Sequence, residues 1–298
     1  MDGYSQIVRL GEGLAATGAL GEAPMQRALA ALSVCARKIA QSDAIRTRAV
    51  ATQACRTAAN GGEFLARVEA ETGLRLELIA PEEEASLAVA GCTGLIDPDA
   101  AMALIIDIGG GSTELSFVEP RRSGQPTIRD WASTPYGVVT LAEKWGGALE
   151  TEAGFEALVA EITAAFSALP PAAFGSLFTA SGHLVGTSGT VTSLAGVHLG
   201  LPRYNRSKVD GLWMAMADVR AAGAHLRALG PHGRAANPCI GPDRADLVAP
   251  GAAILEAVSR VWPARRVRVA DRGLREGLLL GMMAEAGVLR RAGRSRRR

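Results

Sequence analysis

Asp107-Ile108-Gly109-Gly110-Gly111-Ser112-Thr113-Glu114 is the stretch on which the reading of this chain turns. Three successive glycines and a serine let the backbone approach an anion closely and aim consecutive N–H groups at it as a concave nest. Residues 102–108 before the turn form an apolar run of strand length, and residues 114–119 resume strand alternation after it. A strand on the far side argues against a Walker A loop, which also needs a GK[ST] string, and against a Rossmann turn, which opens a helix. Asp107 ends the first strand and Glu114 starts the second. The two carboxylates therefore flank the nest and are candidates to hold Mg²⁺, directly or through water. The plainer reading is a tight hairpin with surface acids beside it.

Outward from the turn, period and punctuation predict an α/β chain. On the C-terminal side come a strand over 128–133, helices near 139–144, 152–168, 191–198, 217–229 and 248–261, a strand over 267–270 and a last helix over 272–286. On the N-terminal side, Met25, Leu29, Leu32, Val34, Cys35 and Ile39 recur at mostly helical spacing over 24–41. A short strand at 47–52, a turn and helix over 53–60, a helix near 63–72 and an alternating strand over 74–80 follow. Pro81 before Glu82, Glu83 and Glu84 marks a helix start, where proline fits the first turn and acids suit the positive end. The Gly-, Pro- and Asp-rich segment GCTGLIDPDAA after Ala90 reads as a crossing between domains. The expected division is 1–97, 98–289 and a basic, disordered tail over 290–298.

Other stretches carry possible chemistry. Gly186-Thr187-Ser188-Gly189-Thr190 precedes an apolar helix, so its amides and hydroxyls form either an ordinary cap or a second anion site. Within the acidic run, one carboxylate either serves only the helix dipole or points into a cleft as a general base for water. Arg56, just past a strand end, is placed to fork onto phosphate oxygens or to stand unpaired at the surface. Asp271, at a strand-to-helix junction, is expected to cap the last helix.

Composition limits the partners. The chain has 298 residues, 48% of them hydrophobic, and a formal net charge of +2. Arg290, Arg291, Arg294, Arg296, Arg297 and Arg298 crowd the C-terminus; without them 26 basic residues face 30 acidic ones. The folded body is then slightly acidic, which argues against a specific nucleic-acid partner. The tail is a solvated end or a tether for polyanions. Cys35, Cys55, Cys92 and Cys239 show no metal-ligand spacing and read as buried hydrophobes of a reducing compartment. No leader-like N-terminus and no membrane-length apolar run is present, so a cytoplasmic protein without a membrane partner is expected.

Taken together, VRLGEGL from Val8, ATQACRTAAN from Ala51, PEEEA from Pro81, DIGGGSTEL from Asp107, PYGVVTLAEKWG from Pro135, GTSGTVTSLAG from Gly186 and VADRGLREGLL from Val269 resemble the Ppx/GppA family of exopolyphosphatases and guanosine pentaphosphate phosphohydrolases. The resemblance runs over nearly the whole chain. It implies the actin-like ATPase, ribonuclease H-like superfold, with two domains around a phosphate-binding cleft. It also implies release of orthophosphate from polyphosphate, or conversion of guanosine pentaphosphate to tetraphosphate, with Mg²⁺ and a monovalent cation as a further candidate. By carry-over Glu84 matches the catalytic base, Asp107 and Glu114 the metal residues, and Arg56 the arginine of its motif. Gly109, Gly110, Gly111, Ser112 and Thr113, with Gly186, Thr187, Ser188, Gly189 and Thr190, are the phosphate-binding candidates. Family members open with a strand and a DxGTNS loop mirroring DxGGGST. No such string precedes Val8, so roughly thirty residues of the N-terminal domain are expected to be missing, with a sheet edge left open.

Three functions compete. The first is the hydrolase. The second is an alarmone- or polyphosphate-binding module impaired in catalysis because that loop is absent. The third is a small-molecule kinase of the same superfold, which the PEEEA and ATQACR segments disfavour. A homodimer is a candidate assembly.

Overall fold

The computed structural model describes residues 3–122, 125–170 and 174–288. An extended N-terminal segment leads through the one-turn helix α1 (Leu14–Thr17) into α2 (Glu22–Ala40). Glu22 sits in the first turn of α2 and Arg37 and Lys38 in its last, complementing the helix dipole at both ends. β1 (Ala49–Ala51), α3 (Gln53–Thr57), α4 (Gly61–Thr72) and β2 (Leu76–Leu78) follow. The two strands pair in parallel, Val50 opposite Glu77. So small a ladder cannot stand alone in water. It is held by an apolar cluster of Leu14, Leu29, Cys55, Phe64 and Val68 from the surrounding helices, with Leu20 from the link between α1 and α2.

α5 (Pro81–Cys92) opens with Pro81 and the three glutamates in its first turn. Beyond it come β3 (Ala103–Ile108), β4 (Thr113–Glu119), β5 (Thr127–Thr134), α6 (Val138–Trp145), α7 (Glu152–Ser167), α8 (Gly175–Ala180) and β6 (His183–Thr187). The chain continues through α9 (Ser188–His198), α10 (Arg206–Val209), β7 (Trp213–Ala215), α11 (Met216–Ala228), α12 (Gly230–Ala236), α13 (Val248–Val261), β8 (Arg266–Ala270) and α14 (Leu274–Glu285). Six strands form one sheet in the order β5-β4-β3-β6-β8-β7. β3, β6 and β8 run parallel, and β4, β5 and β7 are antiparallel to their neighbours.

Alternation along β3 explains where the site forms. Leu104, Ile106 and Ile108 enter the main core with Phe117, Phe166, Ile254 and Trp262. Ala103 and Ile105 face the other way and pack with Val89 and Cys92 of α5, Val185 and Ala270. Asp107 shares that second face. α14 in turn lies on α5 with the backbones nearly touching. A Cβ on Gly91 would fall 2.0 Å from the Gly273 carbonyl oxygen, and one on Gly277 would fall 2.0 Å from that of Leu87.

Most expected elements appear within a few residues of their expected bounds, and the helix over 248–261 coincides with α13. β6 was not expected, although it is buried at the centre of the sheet between β3 and β8. The supposed turn at Gly186 to Thr190 is therefore corrected: Gly186 and Thr187 end β6, and Ser188, Gly189 and Thr190 begin α9. Asp271 does not cap the last helix. Gly273 holds that position and its N–H donates to Glu276 Oε2 at 2.9 Å, while Asp271 accepts from the Tyr204 hydroxyl at 2.6 Å. No break in packing marks residues 97 and 98, because the cluster of Val89, Cys92, Ala103 and Ile105 spans them. The tail expected over 290–298 lies outside the described residues.

Candidate active site

A cleft of about 700 Å³ runs between the α2–β1 side of the molecule and the carboxyl ends of β3 and β6. Thr52, Gln53 and Glu84 line it on one side; Asp107, Gly109 to Ser112, Glu114, Gly189, Thr190, Ser193 and Arg244 line the other. Strand ends of open α/β sheets are the usual place for ligands. Register brings the acids together: Ser133 stands opposite Glu114, and Glu114 opposite Asp107.

The glycine turn spends its carbonyls on the protein. Gly109 O and Gly110 O accept from the N–H groups of Val138 and Val139 at 3.0 and 2.8 Å, so the first amides of α6 are satisfied by the turn. Gly137 makes this approach possible, since a Cβ there would lie 2.2 Å from Gly110 O. The N–H of Gly109 donates to Ser112 O at 2.9 Å. Among the described residues, no partner holds the amides of Gly110, Gly111 and Ser112. Three free donors on a cleft wall form the nest expected of an anion site.

Three carboxylates share this space. Glu84 is buried, and burial followed by the charge of Glu114 pushes its pKa up to about 7 against the pull of Arg56. Asp107 is likewise pushed up to about 7, by burial first and then by Glu114 and Glu84. Burial raises Glu114 too, opposed by the hydroxyls of Ser112 and Ser133; Ser133 Oγ donates to its Oε1 at 2.9 Å. Like charges directly opposite across strands are destabilising, and buried acids perturbed this way concentrate at functional sites. Arg56 does not line the cleft. Its Nη1 donates to Ile79 O at 2.7 Å, and both Nη atoms lie 3.4 Å from Glu84 Oε2. Arg56 thus steadies Glu84 rather than facing a ligand.

No group of three or more His, Cys, Asp or Glu side chains placed to hold a metal occurs among the described residues. Mg²⁺ does not require one, because it keeps several waters and is usually held by one or two carboxylates plus substrate phosphates. The opposed pair Asp107 and Glu114 beside free amides fits that mode. It does not fit an all-protein cage.

Other candidates divide. Gly189 and Thr190 reach the cleft. Thr113 is fully buried and donates to Tyr136 O at 2.6 Å. Gly186 packs under Val191, and Thr187 donates to Arg272 O at 2.7 Å, so neither faces the cleft. Ser188 begins α9 at φ 87°, in the left-handed region, with its hydroxyl buried and unpartnered. Sequence reading missed Arg244 and Ser193. The Ser193 hydroxyl is buried without a partner at the cleft. The Arg244 guanidinium lies over Gly189, its Cζ 3.4 Å from where a Cβ would stand, and has no acid partner among the described residues. An unpaired arginine over a helix N-terminus attracts anions. The only local signal was its place in the loop Gly241-Pro242-Asp243-Arg244 before an apolar helix.

Fold and site together define an α/β protein with a mixed six-stranded sheet and an acid-flanked cleft walled by free backbone amides. The chain belongs to the Ppx/GppA phosphatase family, whose model matches residues 3–286. It is 28% identical over 291 residues to Exopolyphosphatase 2 of Mycobacterium tuberculosis, covering 93% of this chain and 88% of that protein. The crystal structure of the Aquifex aeolicus Ppx/GppA family member is similar with a TM-score of 0.73 and 26% identity, over 94% of this chain and 88% of that one. An exopolyphosphatase from Cytophaga hutchinsonii shares the fold with a TM-score of 0.82 and 22% identity, over 93% and 87% of the two chains. No helix among the described residues is long and apolar enough to cross a membrane.

Proposed function

We propose that this chain is a Mg²⁺-dependent phosphohydrolase that releases terminal orthophosphate from inorganic polyphosphate, and that guanosine pentaphosphate, giving tetraphosphate, is its second candidate substrate. One observation carries the reading: the buried carboxylate of Glu84 shares a single cleft with the free amides of the glycine turn and with Asp107 and Glu114. The name of the mycobacterial relative supports polyphosphate as the first substrate to test.

In this reading the amides of Gly110, Gly111 and Ser112 hold oxygens of the terminal phosphoryl group and orient it. Glu84 accepts a proton from a water molecule as the water oxygen bonds to phosphorus. The phosphoanhydride bond to the next phosphate breaks, and the shortened chain leaves with the bonding electrons. A base poised near neutrality suits this task. Mg²⁺ bound at Asp107 and Glu114 would neutralise charge on the phosphate oxygens. Arg56 holds Glu84 in place. Four unpaired cysteines, three of them buried, support a cytoplasmic setting.

Glu84→Gln keeps the shape and removes the base. Phosphate release from long-chain polyphosphate should fall by about 10² to 10⁴, with tripolyphosphate binding retained. Unchanged turnover would remove Glu84 from the mechanism.

A further inference from the structure

Arg9 reaches from the N-terminal segment to the opposite wall of the cleft. Its two Nη atoms donate to Asp246 Oδ2 and Oδ1 at 2.7 and 2.6 Å, and Nη2 also donates to the Asp243 carbonyl at 2.9 Å. These two partners bracket Arg244. The turn carrying Arg244 (Pro242–Arg244) has little internal support, with Arg244 N–H donating to Gly241 O at 3.4 Å and Leu247 N–H to Arg244 O at 3.0 Å. Two arginines hold it from outside: buried Arg234, whose Nε donates to the Ala245 carbonyl at 2.6 Å, and the fork from Arg9 on Asp246, which is the one that ties the turn to the N-terminal segment.

Arg9 is itself held in an uncommon way. Its φ is 48°, in the left-handed region where a long side chain is rare, and such strain persists only where surroundings enforce it. Its neighbour Val8 is tied to α2, Arg27 Nε donating to Val8 O at 3.0 Å, and Arg9 O accepts from Glu12 N–H at 3.0 Å. Burial alone would raise the Asp246 carboxyl, yet the hydrogen bond and charge of Arg9 hold it below its usual range. The N-terminal segment is therefore anchored on α2 through Val8 and grips the Arg244 turn through Arg9.

We infer that Arg9 is a positioning residue: it clamps the turn over 242–246 so that Arg244 stays over the N-terminus of α9 and binds a second phosphate of the substrate chain. This rests on the phosphohydrolase reading of the same cleft. Arg9 touches no substrate; its contribution passes through Arg244.

The test is calorimetric binding of tripolyphosphate to the full chain without metal. Arg9→Ala should weaken binding about tenfold, and Arg244→Ala by at least as much. The double variant should bind within about twofold of Arg244→Ala alone, because two residues acting as a unit are not additive. Asp246→Asn, which preserves shape, should reproduce Arg9→Ala and carries the test if Arg9→Ala fails to fold. Arg9→Lys should restore binding only in part, since an ammonium cannot make the fork. Binding by Arg9→Ala equal to wild type, whatever its melting temperature, would reduce the contact to a structural tie and overturn the inference. Losses that multiply in the double variant, or a wild type that binds no tripolyphosphate, would also overturn it. Wild type that binds tripolyphosphate but releases no orthophosphate from polyphosphate would instead defeat the proposed function and leave the role of Arg9 standing.

Discussion

The six-stranded sheet buries β3, β4 and β6 on both faces, whereas the β1–β2 ladder joins two three-residue strands whose Glu77 and Leu78 are exposed. The glycine turn hangs from the first. Thr52 and Gln53, across the cleft, hang from the second. Under the proposed function, the donors that would meet a phosphate sit on the well-buttressed sheet rather than on the thinly built ladder. α5 joins the two, bringing Glu84 to the cleft while its other end packs on the large sheet.

That junction is where the comparison breaks most easily. Gly277→Val would drive a side chain into the Leu87 carbonyl of α5, with no flexible group to give way. Thermal unfolding should show a melting temperature lower by more than about 10 °C, or separate transitions for the two regions. A variant as stable as wild type would mean that α14 and α5 do not cross as described.

Within the large region, Arg234 is 1% exposed and forks onto Glu150 at 2.9 and 2.5 Å while donating to the Ala245 and Leu226 carbonyls. Arg234→Ala strands two carbonyls and a carboxylate and removes packing volume. Denaturant unfolding should show a loss of about 2–4 kcal/mol. A loss under about 1 kcal/mol would show that the Arg234 fork adds little to the support of this region.

How far these features could be read from sequence differed by residue. Asp107, the glycines and Glu114 were legible because strand, turn and strand are local and the residue types are improbable together. α13 was legible because a long apolar run has one reading. β6 was not: His183 to Thr187 is five residues beside glycines and hydroxyls, chemistry that usually marks a turn, and only pairing with β3 and β8 makes it a strand. Thr187 left the site for the same reason, its hydroxyl being claimed by Arg272 O. Arg244 and Arg9 were invisible because their roles depend on contacts 55 and 237 residues away.

The clustered acids, Glu84 on α5 and Asp107 on the large sheet, set a pH dependence across the cleft. Asp107 and Glu84 have ordinary values of 3.8 and 4.5 and are both pushed up to about 7, so the folded chain binds more protons than the unfolded one. Stability then falls as pH rises. In chelator, the melting temperature should drop on the order of 5 °C between about pH 4 and pH 7. Asp107→Asn should flatten that slope, and Mg²⁺ at pH 7 should recover part of the loss by binding the folded state. A melting temperature that climbs over this interval in wild type but not in Asp107→Asn would contradict the placement of these acids.

On the small-sheet side the corresponding ion pairs should matter least. Arg48 precedes β1 and reaches Glu77 of β2 at 2.8 Å and Glu83 of α5 at 2.6 Å, clipping the short ladder to the helix that carries Glu84. The side chains of Arg48, Glu77 and Glu83 are 30%, 50% and 42% exposed, so desolvation adds little and salt screens the attraction. Arg48→Ala should cost less than about 1 kcal/mol, with the difference from wild type shrinking further in 1 M salt. Hydrogen exchange should place that loss in β1 and β2 while β3 and β6 keep their protection. If Arg48→Ala instead destabilised the chain as much as Arg234→Ala, the small ladder would be held by charge rather than by the Leu29, Phe64 and Val68 cluster, and the contrast between the two regions would reverse.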